Sequence, residues 1–138
     1  MVSHLNHLLV TAVNRRGVVR VQSSLRLDQR SVPEPDLAIL APSPDYYRRA
    51  GPTLAEMLLI IEVSDSTLRY DRNVKLPLYA RHGIPEMWIA DLQHNELLLY
   101  RNPQDGTCLD QQSTTAPGII QPVALPGIAI DLSGLLAG

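Results

Sequence analysis

The sequence predicts an α/β domain in which a mixed β-sheet is flanked by helices. Apolar residues recur at helical spacing near the N-terminus, and several short apolar or alternating runs of strand length follow. A helical stretch then separates two of those runs. No glycine-rich phosphate loop follows any strand, which argues against a dinucleotide-binding Rossmann arrangement.

The elements read as follows. Leu5, Leu8, Leu9, Ala12 and Val13 lie at helical spacing between His4 and Asn14, and Gly17 sits where that helix would end. From Val19 the pattern alternates: Val19, Val21, Ser23, Leu25 and Leu27 are expected on one face of a strand, with Arg20, Gln22, Ser24 and Arg26 on the other. The Ser31–Pro35 stretch reads as a turn, and Asp36 to Leu40 as a short buried strand. Residues 41–53, rich in Pro, Tyr and Arg, read as a loop. Leu58 to Val63 is the most apolar strand. A helix is expected from the Ser64–Thr67 caps to His82, ending at Gly83, with Pro77 either in its first turn or kinking it. Glu86 to Asp91 reads as a strand pairing with Glu96 to Arg101 in a hairpin. Beyond Asn102 the signals weaken.

The chain has 138 residues, so residues 1–138 are expected to form one domain. With 45% hydrophobic and 19% charged residues, it can build an ordinary core. Phenylalanine is absent, so Leu, Ile, Val and Ala must fill that core. The formal net charge of −2 gives no overall basic field, so any nucleic-acid contact must rest on a local face. The single Cys108 cannot form an internal disulfide. No apolar run is long enough to span a bilayer and no secretory signal is visible, so the expected setting is cytoplasmic, with no membrane partner.

Asp36 opens one apolar strand and Glu62 closes the next. If the two strands pair antiparallel, Leu37 to Leu40 match Leu58 to Ile61 in length, and the carboxylates meet at one end. Such a pair is destabilising unless a cation or a proton neutralises it, and a hard divalent ion, Mg²⁺ or Mn²⁺, is a natural neutraliser.

Pro35-Asp36 followed by Glu62-Val63-Ser64 resembles the PD-(D/E)xK motif of restriction-endonuclease-like enzymes. The run PEPDLAIL…LLIIEVSDSTLRYDRNVKLPLYARHGIPEMWIAD is similar to the Uma-type restriction endonuclease family, over about Val18 to Arg101, with a weaker echo around Leu125 to Asp131. The resemblance implies a restriction-endonuclease-like fold and metal-dependent hydrolysis of DNA phosphodiesters. Asp36 and Glu62 would hold the metal, with the Val63 carbonyl as an added ligand. Lys75 would orient or deprotonate the attacking water, or steady the charge developing on the phosphate. Arg69, Arg72 and Arg81 would grip nearby phosphates.

The sequence departs from the pattern in two ways. The superfamily's lysine normally stands two residues after the acidic strand residue, where this chain has Ser64; the resemblance implies that Lys75 on the following helix replaces it. Members of the family also carry a further N-terminal segment with another acidic residue, and this chain begins after that point. The resemblance therefore implies a site short of one carboxylate. A nuclease-fold module that binds DNA or a protein without catalysis is the rival reading, and paired nicking of a duplex would suit a homodimer.

Each residue also has a plainer reading. Asp36 is a common turn residue after proline, and Glu62 a strand-end carboxylate reaching solvent. Asp71 and Lys75 would make an ordinary ion pair on a helix surface. Ser64, Asp65, Ser66 and Thr67 read as turn and capping residues, and Tyr79 and Trp88 as core or core-edge residues, with Tyr79 bordering the site. Glu86 and Asp91 are expected to be solvated. The four histidines show no metal-ligand clustering, and Cys108 reads as structural.

Overall fold

The structure, a computed structural model, describes residues 1–137. Six strands form one sheet in sequential order: β1 (Val18–Val21), β2 (Leu37–Leu40), β3 (Met57–Ser64), β4 (Glu86–Asp91), β5 (Glu96–Gln104) and β6 (Thr107–Thr114). Every neighbouring pair is antiparallel except β3 and β4, which run parallel. A parallel pair needs a crossover connection. Here it is a broken helix made of α2 (Leu68–Tyr70), a π-helical turn (Asp71–Lys75) and α3 (Leu76–Arg81). Helix α1 (Val2–Val13) precedes the sheet, and a two-stranded ribbon, β7 (Ile119–Ile120) with β8 (Ile130–Asp131), follows it.

Strand alternation divides the core into two layers. Leu37, Ile39, Leu59, Ile61, Trp88 and Leu97 face α1 and the C-terminal segment, meeting Leu5, Leu9 and Val13 on one side and Ile128, Ile130 and Leu132 on the other. The opposite face presents Ala38, Leu40, Ile60, Met87 and Ile89 to the broken helix through Leu76, Tyr79 and Ala80. Full burial of each large aliphatic side chain contributes about 1.5–3 kcal/mol. The two layers account for the apolar strands that carry no outward polar face.

Three departures from the local sequence pattern have identifiable causes. The first strand stops at Val21, because Gln22 adopts a left-handed backbone (φ 49) that resets the alternation. Val19 packs on the α1 side, whereas Leu25 and Leu27 are buried on the other side, and Val21 is exposed. The second departure lies between Asp71 and Lys75. A wide π turn directly precedes Pro77, giving its ring room and absorbing the donor it lacks, so the helix continues to Arg81 and closes at Gly83 (φ 75). The third is β6, which pairs with β5 along its length although Cys108 is its one buried residue. An edge strand with little apolar patterning leaves almost no local signal.

Glu86 and Asp91 are not solvated, contrary to the expectation from their flanking positions. Both are buried, at 0% and 2% exposure. Glu86 accepts hydrogen bonds from Trp88 Nε1 (2.7 Å), Arg101 Nε (2.8 Å) and the Val123 amide (2.8 Å). It thus ties β4 to β5 and to the C-terminal segment. Gly17 meets a different constraint: a Cβ there would lie 2.9 Å from both the Leu40 carbonyl oxygen and Val13 Cγ1, so α1 can approach the sheet only with glycine at the junction. No helix among the described residues is long and apolar enough to cross a membrane.

Replacing Glu86 by alanine should cost about 3 kcal/mol, because the Arg101 charge and two buried donors lose their acceptor. Urea denaturation reads the loss, and hydrogen exchange at the Val123 amide should accelerate. Unchanged exchange there would show that Glu86 does not hold the C-terminal segment.

Candidate active site

Asp36 stands one residue before β2, and Glu62 lies near the end of β3. The β2–β3 register pairs Leu37 with Ile61, Ala38 with Ile60 and Ile39 with Leu59, and a bulge shifts Leu40 to Met57. Continuing that ladder outward sets Asp36 opposite Glu62. The two residues are cross-stitched: the Asp36 amide donates to Glu62 Oε1 (2.9 Å), and the Val63 amide donates to Asp36 Oδ2 (2.7 Å). Each carboxylate therefore fixes the backbone that carries or flanks the other.

Glu62 is buried, at 1% exposure, on the sheet face covered by the broken helix. Lys75 Nζ reaches Glu62 Oε2 at 2.6 Å, and the Tyr79 hydroxyl donates to the same oxygen at 3.3 Å. Asp71 joins from one turn earlier. It is buried, lies 3.7 Å from Lys75 Nζ, and accepts hydrogen bonds from the hydroxyls of Thr67 (3.1 Å) and Ser64. The Asp71–Lys75 pair is therefore not an exposed helix-surface pair but part of a buried polar network. Its i,i+4 spacing carries no sign of that difference. The Ser64 hydroxyl holds Asp71.

Electrostatics follow from this packing. Burial pushes the Glu62 carboxyl above the ordinary glutamate value; the Lys75 and Asp36-amide hydrogen bonds oppose that push without reversing it. Partial burial pulls Lys75 down, but its hydrogen bond to Glu62 and the charges of Glu62, Asp71 and Asp36 carry it above the ordinary lysine value. The Tyr79 hydroxyl is driven strongly upward by burial and by the same three carboxylates, so it remains a donor. Lys75 is a fixed cation at neutral pH.

The three arginines lie elsewhere on the helix. Arg69 and Arg72 are exposed on α2 and the π turn, and Arg81 ends α3, against Gly106 in the β5–β6 turn. Among the described residues, Lys75 is the one cation within ion-pair distance of Glu62. His4 and His7 are exposed on α1, and Cys108 is buried with its thiol pushed up by burial.

As a cation site, the arrangement offers two carboxylates. Asp36 keeps Oδ1 outside every hydrogen bond of the described residues, while both Glu62 oxygens are engaged. Among the described residues, no group of three or more Asp, Glu, His or Cys side chains is placed to hold a metal ion. Magnesium binds through one or two carboxylates and completes its shell with water, so the donor set fits that ion and not a fully protein-enclosed one.

A family model described as "Uma2: Putative restriction endonuclease" matches residues 1–133. The chain belongs to this family. Among solved structures, it is similar to a "putative nuclease belonging to DUF820" from Anabaena variabilis, with a TM-score of 0.68 and 15% identity, over 95% of this chain and 75% of that one. At that identity the likeness concerns the fold, a mixed sheet flanked by helices. A search among curated proteins finds no match. The family resemblance and the fold class read from the sequence both stand.

Because Glu62 holds its proton more tightly when folded, its contribution to stability is complete below the ordinary value of 4.5 and is lost as pH rises through its raised folded value. Lys75 behaves alike at the alkaline end: its contribution is complete below 10.5 and lost as pH passes its raised folded value. In Lys75→Met the Asp36 amide alone is left to oppose the desolvation of Glu62, whose pKa climbs further. The variant should lose about 2 kcal/mol at pH 8, and clearly less at pH 5, in urea denaturation. An equal loss at the two pH values would mean that Glu62 does not sense the lysine.

Proposed function

We propose that the chain is a magnesium-dependent nuclease that hydrolyses DNA phosphodiesters at Asp36, Glu62 and Lys75. The observation that carries this reading is the convergence of two carboxylates from adjacent strands with an ammonium from the crossover helix. Membership in a family described as restriction endonucleases supports it.

Asp36, Glu62 and the Val63 carbonyl would hold the ion, Mg²⁺ or Mn²⁺. When bound, it supplies Lewis-acid polarisation of the scissile phosphate and acidifies a nearby water. The remaining work belongs to the chain. Asp36 and Glu62 are preorganised by each other's backbone contacts, so little rearrangement is needed to present them. Lys75 is held charged by Glu62, Asp71 and Asp36, which suits it to steadying negative charge on the phosphate or orienting the water rather than removing a proton. Tyr79 fixes the second Glu62 oxygen and closes the apolar side of the site.

A second reading is a nuclease-fold module that binds nucleic acid without cutting it. The engagement of both Glu62 oxygens favours it, and the net charge of −2 would suit a protein partner better than DNA for such a module. Calorimetry separates the two: Mn²⁺ should bind the unaltered chain with measurable heat, and Asp36→Ala should abolish that heat.

Supercoiled plasmid incubated with Mg²⁺ should be nicked, and EDTA should stop the reaction. Asp36→Asn, Glu62→Gln and Lys75→Met should each slow nicking by about 10²–10³-fold, the scale of removing one preorganised charge-stabilising group. Metal-dependent nicking that persists at full rate in both carboxamide variants would sink the assignment.

A further inference from the structure

A second polar cluster lies on the same face of the sheet, at the end of β4. Strand β4 ends at Asp91, the register partner of Ser64, and the Leu92 amide donates to the Ser64 carbonyl (2.8 Å). The turn after β4 is thereby locked one strand spacing, about 4.8 Å, from the strand that carries Glu62. Asp91 is buried, accepts from the His94 amide (3.3 Å) and pairs with His94 Nδ1 (2.6 Å). With Nδ1 held, Nε2 is the outward nitrogen of a side chain that is 64% exposed.

His94 and Arg72 line one cavity of 410 Å³. Leu68, Leu98 and the Tyr100 ring supply its apolar surface, and Gln111 and Glu96 add amide and carboxylate groups at its wall. Burial raises the Tyr100 phenol, and the nearby Arg72 charge and hydrogen bond oppose that rise, so the guanidinium lies near the phenol oxygen.

We propose that this cavity binds one nucleotide of the nucleic-acid strand beside the cleavage site, with its phosphate on Arg72 and His94 and its base over Leu68, Leu98 and Tyr100. The inference rests on the nuclease reading above and extends it. Arg72 and an oriented imidazole recognise a phosphate. An apolar surface of two leucines and the small exposed part of Tyr100, at 4% exposure, suits contact with a base of any identity. Glu96 would repel a bare anion but accepts from a base amino group or a sugar hydroxyl, so the wall favours a nucleotide over inorganic phosphate. The buried Asp91 is a positioning residue that holds His94.

The test is an NMR titration of the full chain in EDTA with 5′-deoxynucleoside monophosphates, with inorganic phosphate and free deoxynucleosides as separate arms. The monophosphates should shift the amides of residues 91–96 and 111–113 and bind at least tenfold tighter than either control. Arg72→Ala and His94→Ala should each weaken binding at least fivefold, and Arg15→Ala, at an exposed arginine outside the cavity, should leave it unchanged. Equal binding of inorganic phosphate would reduce the cavity to an anion site, and unaltered affinity in both variants would place the nucleotide elsewhere; either result overturns the proposal. Binding is read without metal or turnover. A chain that binds mononucleotides but never nicks DNA therefore rejects the hydrolytic reading alone, whereas one that nicks without any mononucleotide shift rejects the cavity alone.

Discussion

A carboxylate buried at the end of an apolar strand must be met by donors, and much of the architecture around Glu62 serves to meet it. The Asp36 amide before β2 and the Lys75 ammonium and Tyr79 hydroxyl on the crossover helix converge on its two oxygens. Unpaired, such a charge would cost several kcal/mol, enough to consume much of a small protein's net stability. The β2–β3 pairing and the seat of the crossover helix are both constrained by this group. The same contacts place two acids and a cation within reach of one another.

The broken helix shows how that constraint shapes local structure. A regular α-helix through Pro77 would lose a hydrogen bond and press the ring on the preceding turn. The π turn at Asp71–Lys75 relieves this, and it sits where its two end residues, Asp71 and Lys75, face the buried network. π-helical turns often mark functional positions. Here the turn also separates two sides of one short helix: Lys75 and Tyr79 address Glu62, while Leu68 and Arg72 address the cavity beside His94.

Buried carboxylates recur away from the candidate site, and they do different work there. Glu86 has its donors supplied by Trp88, Arg101 and Val123, so it fastens the sheet to the C-terminal segment and leaves no oxygen without a partner. Asp91 turns its oxygens toward an exposed histidine. Burial alone therefore does not tell one role from another, because Glu62 and Glu86 both pair with a cation of similar exposure.

Some of this was legible in the residues themselves. Matched apolar lengths made an antiparallel pairing of Leu37–Leu40 with the run before Glu62 one option, with Asp36 meeting Glu62; the structure adopts it, with a bulge that pairs Leu40 with Met57. The family resemblance marked Lys75, which spacing alone would have left as half of a surface pair. The tertiary structure alone decided the depth of Asp71, Glu86 and Asp91, the change of face after Gln22, the π turn and the edge strand β6. The reason is one of range. Alternation and capping are local, whereas the Val123 donor of Glu86 lies 37 residues away and the Tyr79 donor of Glu62 lies 17 away, so neither burial can be read from its neighbours in the chain.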